Sequence, residues 1–156
     1  MRKIKKIILK NFKKFQSLEI DFNEHYNILI GDNEAGKSSI LTAIDLVLSG
    51  SRSKIENFGL ENLFNIDVIQ DFLASPQKDI SNLPTLEIEL YFCEMDNFEL
   101  CGKNNCKQEN CDGLKLICKH KEDLEPEIND ILQNSSDNFP FEYYDITFKT
   151  FSGETY

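Results

Sequence analysis

Nine residues restrict this chain more than any others. Gly31-Asp32-Asn33-Glu34-Ala35-Gly36-Lys37-Ser38-Ser39 fits G-x-x-x-x-G-K-[ST]. It follows the short apolar run Tyr26–Ile30 and precedes Ile40, Leu41, Ala43, Ile44, Val47 and Leu48, which have helical spacing. Glycines at both ends let backbone N–H groups turn inward around an anion, and a helix starting at Lys37 adds the positive end of its dipole. In such a loop the lysine reaches the β- and γ-phosphates of a nucleotide and the serine hydroxyl binds Mg²⁺. A glycine turn that merely caps a helix does not account for Lys and Ser following in order. The candidate nucleotide contacts are Asn33, Glu34, Ala35, Gly36, Lys37, Ser38 and Ser39, with Ser38 the candidate Mg²⁺ ligand. The expected cofactors are ATP and Mg²⁺.

The rest of the chain alternates between two periodicities. Residues 3–10 read as a strand. Residues 16–22 alternate, with Leu18, Ile20 and Phe22 on one face and Glu19 and Asp21 on the other. Asn11-Phe12-Lys13-Lys14-Phe15 joins the two, which predicts an antiparallel pair. Tyr26–Ile30, nearly all apolar, predicts a strand buried on both faces. A helix is expected over Ser39–Ser49 with Gly50 as its C-cap, and a weaker one over 60–74. Residues 75–84 read as a polar loop and Leu86–Phe92 as a strand. Glu122–Gln133 reads as a helix and Glu142–Phe151 as a long strand with Tyr144, Ile146 and Phe148 on one face.

Charge and cysteines bound the remaining options. The net charge is −10, yet residues 1–14 carry seven basic side chains and no acid. The chain as a whole is no polybasic nucleic-acid binder. The basic first strand is read as a solvated edge face, with a DNA backbone as its alternative partner. No apolar run is long enough to span a membrane, and no apolar stretch follows the basic N-terminus as in a secretory leader, so cytoplasmic is the default. Cys93, Cys101, Cys106, Cys111 and Cys118 are odd in number, as expected of reduced thiols. Cys93, after an alternating strand, is expected to be packed. Four cysteines and His120 fall within 101–120 at spacings that lack a C-x₂-C knuckle. The favoured reading is an insertion over about 96–121 carrying thiols, with Zn²⁺ the lesser one. His25 reads as a turn residue and Glu94, Asp96 and Glu99 as a solvated face. Gln70 reads as a plain helix position in preference to a nucleotide-sensing glutamine.

The order of basic strand, N-F-K-K-F turn, acidic alternating strand, N-I-L-I and G-D-N-E-A-G-K-S-S-I-L resembles the start of ATPase heads in the SMC, RecF and DNA-repair ABC-type group. Within that group it is most similar to the OLD (overcoming lysogenization defect) family of ATP-dependent endonucleases, through Asn11, Phe12, Phe15 and Asn33. The resemblance implies an α/β P-loop NTPase fold: the N-terminal lobe of an ABC-type head, spanning 1–156, with its P-loop core at 26–50. An antiparallel β-subdomain is expected from residues 3–22 and 86–151. It also implies a basic residue near the nucleotide at Lys13, where the family usually carries Arg; Lys supplies charge without a planar fork. No apolar strand ending in Asp-Glu follows Ser39: Glu87 and Glu89 interrupt theirs, and Asp145 precedes Ile146. No Leu-Ser-x-Gly signature and no nuclease-like carboxylate cluster is present. The lobe is therefore expected to need a C-terminal part, a complementary chain, or a homodimer of heads, with DNA as the target of the whole protein. The rival expectation is a non-catalytic nucleotide-binding regulatory module. A small-molecule kinase is disfavoured, because an antiparallel meander precedes the loop.

Overall fold

The computed structural model of the chain describes residues 3–33, 36–94, 96–134 and 137–156. Period-2 segments form its frame, an antiparallel sheet of β1 (Ile4–Phe12), β2 (Phe15–Asp21), β3 (Leu86–Phe92), β4 (Cys101–Gly102), β5 (Cys111–His120) and β6 (Tyr144–Thr150). The order is β2-β1-β3-β5, with β6 beside most of β5 and β4 beside its first residues. Register sorts the side chains. Ile7 lies opposite Ile20 and Leu90, and Leu9 opposite Leu18 and Ile88, which gives one apolar face. Lys6, Lys10, Glu19, Glu87 and Glu89 fall on the other face.

Helix α1 (Lys37–Ser49) lies on the apolar face and buries Ile40, Ala43, Leu46 and Val47. Its last turn ends at Gly50, in the left-handed region at φ 55°. Tyr156 closes that end: its hydroxyl donates to the Val47 carbonyl at 2.7 Å and its ring packs on Phe148. Helices α2 (Arg52–Phe58), α3 (Leu60–Leu63), α4 (Ile66–Ala74) and α5 (Glu125–Asn134) complete the second layer. An aromatic cluster of Phe64, Phe72, Phe139, Phe141 and Tyr144 joins α4 to β6, with ring centroids 4.6–6.4 Å apart.

Several expectations change here. Tyr26–Ile30 forms no strand, and Tyr26, Ile28 and Ile30 are 80–88% exposed, while Leu29 alone touches the core. A strand requires a hydrogen-bonding neighbour, and the described residues supply none at this position. The weak helix over 60–74 is broken at Asn65, whose side chain accepts from Val68 N at 3.1 Å and starts α4 afresh. The helix expected from Glu122 begins with a 3₁₀ turn and becomes α-helical only at Glu125. Half of the expected cysteine insertion is sheet: β5 runs through Cys111–His120, with Leu114, Leu116 and Cys118 on the inner face. Cys93 is exposed just past the end of β3 rather than packed.

Asn65 also ties the helical layer to the β1–β2 turn. Its amide donates to the Lys13 carbonyl at 2.8 Å, its backbone N–H donates to the Asn11 carbonyl at 2.9 Å, and Lys13 N donates to the Leu63 carbonyl at 2.7 Å. Asn65 is 2% exposed. In Asn65→Ala the Lys13 carbonyl loses its partner and α4 its cap, so unfolding free energy should fall by about 2–3 kcal/mol, as read by urea denaturation.

Candidate functional site

The loop motif and the hairpin turn meet at one residue. Gly36 is the N-cap of α1, left-handed at φ 90°, and a Cβ there would sit 2.4 Å from Phe15 Cζ and 2.8 Å from Lys14 Cδ. Only glycine allows both that backbone conformation and that approach. The turn delivers Phe15 and Lys14 because Asn11 and Lys13 are themselves left-handed, at φ 54° and 49°. Phe12, wholly buried, anchors the turn in the core, and the Asn11 amide donates to the Thr85 carbonyl at 2.9 Å.

No side chain caps α1, and its first turn holds no acid. Helices α2 and α4, in contrast, are capped by Ser51 and Asn65. The N–H groups of the first α1 turn thus keep their capacity for an external acceptor, and the helix dipole favours an anionic one. Lys37 folds back, its ammonium donating to the Gly31 carbonyl. Ser38 is exposed on the first turn, and its backbone carbonyl accepts from the Thr42 hydroxyl at 2.8 Å. Asn33 is exposed and Ser39 half-buried. Glu34 and Ala35 lie outside the described residues.

Lys13 lies on the side of the turn away from Gly36. Its ammonium lies 6.0 Å from the Phe12 ring centroid and 5.6 Å from that of Phe58, on the α2 side of the turn. Lys14 is the lysine whose stem crosses Gly36.

Three carboxylates outside the loop, Glu87, Glu89 and Asp145, are engaged within the fold. Glu87 pairs with Lys10 at 3.6 Å, and Asp145 with Arg52. Glu89 is 2% exposed; it accepts from the Tyr91 hydroxyl at 2.7 Å and from Cys106 N at 3.0 Å, pinning the segment after β4 to the sheet. Burial, the Cys106 thiol and the Glu89 carboxylate together push the Tyr91 phenol far up. Both glutamates occupy the sheet face turned away from α1. The sequence patterns flagged them as broken strand positions and missed the latch.

Nor do the cysteines converge. Cys118 is wholly buried in the core, and Cys106 lies against Tyr91 with 3.6 Å between sulfur and phenol oxygen. His120 sits beside Glu125 at 3.4 Å, and Cys101 and Cys111 flank the β4–β5 pairing. Among the described residues no group of three or more His, Cys, Asp or Glu is arranged to hold a metal. A zinc site does not fit this placement. Mg²⁺ would find one protein oxygen in the Ser38 hydroxyl, which is exposed on the first turn of α1. His25 lies in a turn closed by reciprocal Asn23–Asn27 hydrogen bonds of 2.7 and 2.9 Å, and Gln70 is exposed on α4. Glu94, Asp96 and Glu99 are exposed. Two lysines of the basic strand are matched by acids: Lys6 meets Glu19 at 2.7 Å and Asp21 at 3.5 Å, and Lys10 meets Glu87. Among the described residues no helix is long and apolar enough to cross a membrane.

A glycine loop opening a helix that packs on a sheet is the frame of an α/β ATPase domain. The chain belongs to the AAA ATPase domain family, which matches residues 2–155. It is 43% identical over 82 residues to the DNA replication and repair protein RecF of Oenococcus oeni, covering 53% of this chain and 21% of the relative. RecF of Ruminiclostridium cellulolyticum is 39% identical over 83 residues, 49% of this chain and 22% of its own. The structural maintenance of chromosomes protein 6 of Saccharomyces cerevisiae is 41% identical over 51 residues, 33% of this chain and 5% of its own. The matched stretch is about a fifth of the RecF relatives' length. A solved chain from a study of SMC ATPases aligns over 83% of this chain and 77% of its own at 24% identity, with a TM-score of 0.43.

Two outcomes test this geometry. Gly36→Ala forces a Cβ against the Phe15 ring at positive φ, so it should lower stability by about 2 kcal/mol. In denaturant melts, Phe15→Leu in the same chain should recover the steric part and leave the backbone strain. Burial pushes the Cys118 thiol up to about 12 from 9.0, with Asp145 adding to the rise and Arg52 opposing it. A thiol that ionises less readily folded than unfolded contributes stability that is full below pH 9.0 and is lost as pH rises toward about 12. Urea melts across that window should therefore decline more steeply for the native chain than for Cys118→Ala.

Proposed function

We propose that residues 1–156 form the ATP-binding lobe of an SMC/RecF-like ATPase that acts on DNA, with the OLD-type ATP-dependent endonucleases the nearest pattern within that group. The observation that carries this reading is the uncapped start of α1 behind a G-x-x-x-x-G-K-S loop, braced at Gly36 by the hairpin tip. In it, backbone N–H groups of the loop and first turn cradle phosphate oxygens, Lys37 swings from the Gly31 carbonyl to the β- and γ-phosphates, and Ser38 contributes to Mg²⁺. Similarity to RecF and to an SMC protein supports the DNA connection.

The exposed alternation of Tyr26, Ile28 and Ile30 supports an ATPase core completed by a further segment, whether a C-terminal part, a complementary chain or a partner head. That segment would bring the carboxylates that orient the attacking water, since Glu87, Glu89 and Asp145 are occupied on other business of the fold. A second reading, a nucleotide-binding regulatory module without turnover, is favoured by the same engagement of Glu87, Glu89 and Asp145 elsewhere in the fold.

Lys37→Ala should abolish measurable ATP binding in calorimetry while leaving the circular dichroism spectrum unchanged. Residues 1–156 alone should release phosphate from ATP no faster than buffer. Turnover that vanishes in Lys37→Ala would show a catalytic carboxylate within these residues.

A further inference from the structure

We propose that Cys93 and Cys111 form a redox-sensitive pair, bridged reversibly by a disulfide across the open end of β3 and β5. In the register of those strands Glu89 lies opposite Lys115 and Tyr91 opposite Gly113, so the next position on the same face sets Cys93 opposite Cys111. Strand β3 ends one residue short of this, at Phe92. The Cys93 N–H still donates to the Lys3 carbonyl at 3.0 Å, which keeps Cys93 in line with the sheet. Cys111 shares a small cleft with Tyr91 and Phe92, the last residues of β3.

The kind of pairing suits a bridge. Gly113 spends its N–H on the Leu100 carbonyl at 3.2 Å, and its carbonyl accepts from Phe151 N at 3.0 Å, both on the side of β4 and β6. Tyr91 and Gly113 therefore face each other without mutual hydrogen bonds, and Cys93 and Cys111, two positions on, are a pair of the same kind. Such pairs bring Cα atoms to about 4.5 Å, inside the roughly 4.4–6.8 Å that a disulfide spans. The other thiols are turned away. Cys101 lies opposite Asp112, on the other face of the β4–β5 pairing from Cys111; Cys106 meets the Tyr91 phenol; Cys118 is in the core.

Cys93 is exposed and Cys111 half-buried, so a small oxidant reaches Cys93 first. The oxidant is a low-molecular-weight disulfide such as oxidised glutathione. The Cys93 thiolate attacks one of its sulfurs, and one glutathione thiolate leaves and takes up a proton. Cys111 then gives up its proton and attacks Cys93 Sγ; the mixed disulfide breaks and the second glutathione leaves as a thiol. Two protein thiols are oxidised to one disulfide, and one glutathione disulfide is reduced to two thiols. The ring so closed spans residues 94–110, which place Leu100 in the apolar groove with Leu29 and Leu41 and fasten Cys106 N to Glu89. Oxidation tightens this end of the sheet and reduction frees it.

Peptide mapping of the chain after incubation with oxidised glutathione and trapping with N-ethylmaleimide tests the pair. Cys93 should be found joined to Cys111. The urea midpoint should rise by about 1 M on oxidation and return in dithiothreitol. Cys93→Ser and Cys111→Ser should each lose the bridge and the rise, while Cys101→Ser and Cys106→Ser keep both. The same oxidation in concentrated urea should scatter the pairing among the five cysteines, because there the fold no longer selects it. A native map in which Cys93 or Cys111 stays a free thiol or a mixed disulfide, or joins Cys101 or Cys106, would overturn the pair. So would the same scatter with and without urea. A Cys93–Cys111 bridge that leaves the midpoint unmoved would overturn the tightening of the sheet.

Discussion

The hydrogen bonds of Asn65 hold the most consequential piece of backbone in the molecule. The β1–β2 turn uses two non-glycine left-handed residues, Asn11 and Lys13, each a strain on the order of 1 kcal/mol. Such a turn persists only when its surroundings over-determine it. Here the Asn65 amide and backbone, the Leu63 carbonyl and the Thr85 carbonyl do so together. The result reaches well beyond the turn. Phe12 points into the core, Phe15 presses on Gly36, and the two lysines part company. The N-F-K-K-F stretch is thus a bracket between the sheet and the glycine loop, with Lys14 and Phe15 turned to Gly36 and the other three residues turned elsewhere.

The sheet separates two kinds of chemistry. On one side Leu9, Ile88, Leu116 and Phe148 pack with α1 into a continuous core. On the other, basic β1 lies between acidic positions of β2 and β3, so Lys6 and Lys10 find carboxylates as near neighbours. Lys107 reaches back to Glu19 at 2.7 Å and ties the segment after β4 into the same pattern. These exposed pairs add little stability individually. Their effect is on charge: the ammonium groups of Lys6 and Lys10 are offset by neighbouring carboxylates on the same face of the sheet.

Alternation made β1, β2, β3 and β6 legible in the residues, and the loop with its following helix was legible from motif and 3.6-residue spacing. Three features were not, for separable reasons. In β5 the alternation Leu114, Leu116, Cys118 is present, but it sits in a polar stretch with closely spaced cysteines whose composition is that of an insertion loop. At Asn65 an apolar periodicity runs through 60–74, and nothing in it shows that one asparagine will leave the helix to cap a new one. At Tyr26–Ile30 the residues carry strand character but not the identity of a neighbour, and strand formation depends on the neighbour. The diverging courses of Lys13 and Lys14 belong to a fourth kind. They follow from the positive φ at Lys13, which residue type does not encode for lysine.

Helix α1 is held at both ends. Phe15 and Lys14 abut its first residue, and at the other end Tyr156 caps the Val47 carbonyl and lies against Gly50. Thirteen residues at about 1.5 Å each make it a strut of about 20 Å. Blocked from sliding at either terminus, the helix has little axial play in which to lose a displacement. The far stop stands beside β6, where Phe148 meets Tyr156. The helix is thus seated like a rod between two stops, and the loop at its start is positioned with reference to the edge strand of the sheet.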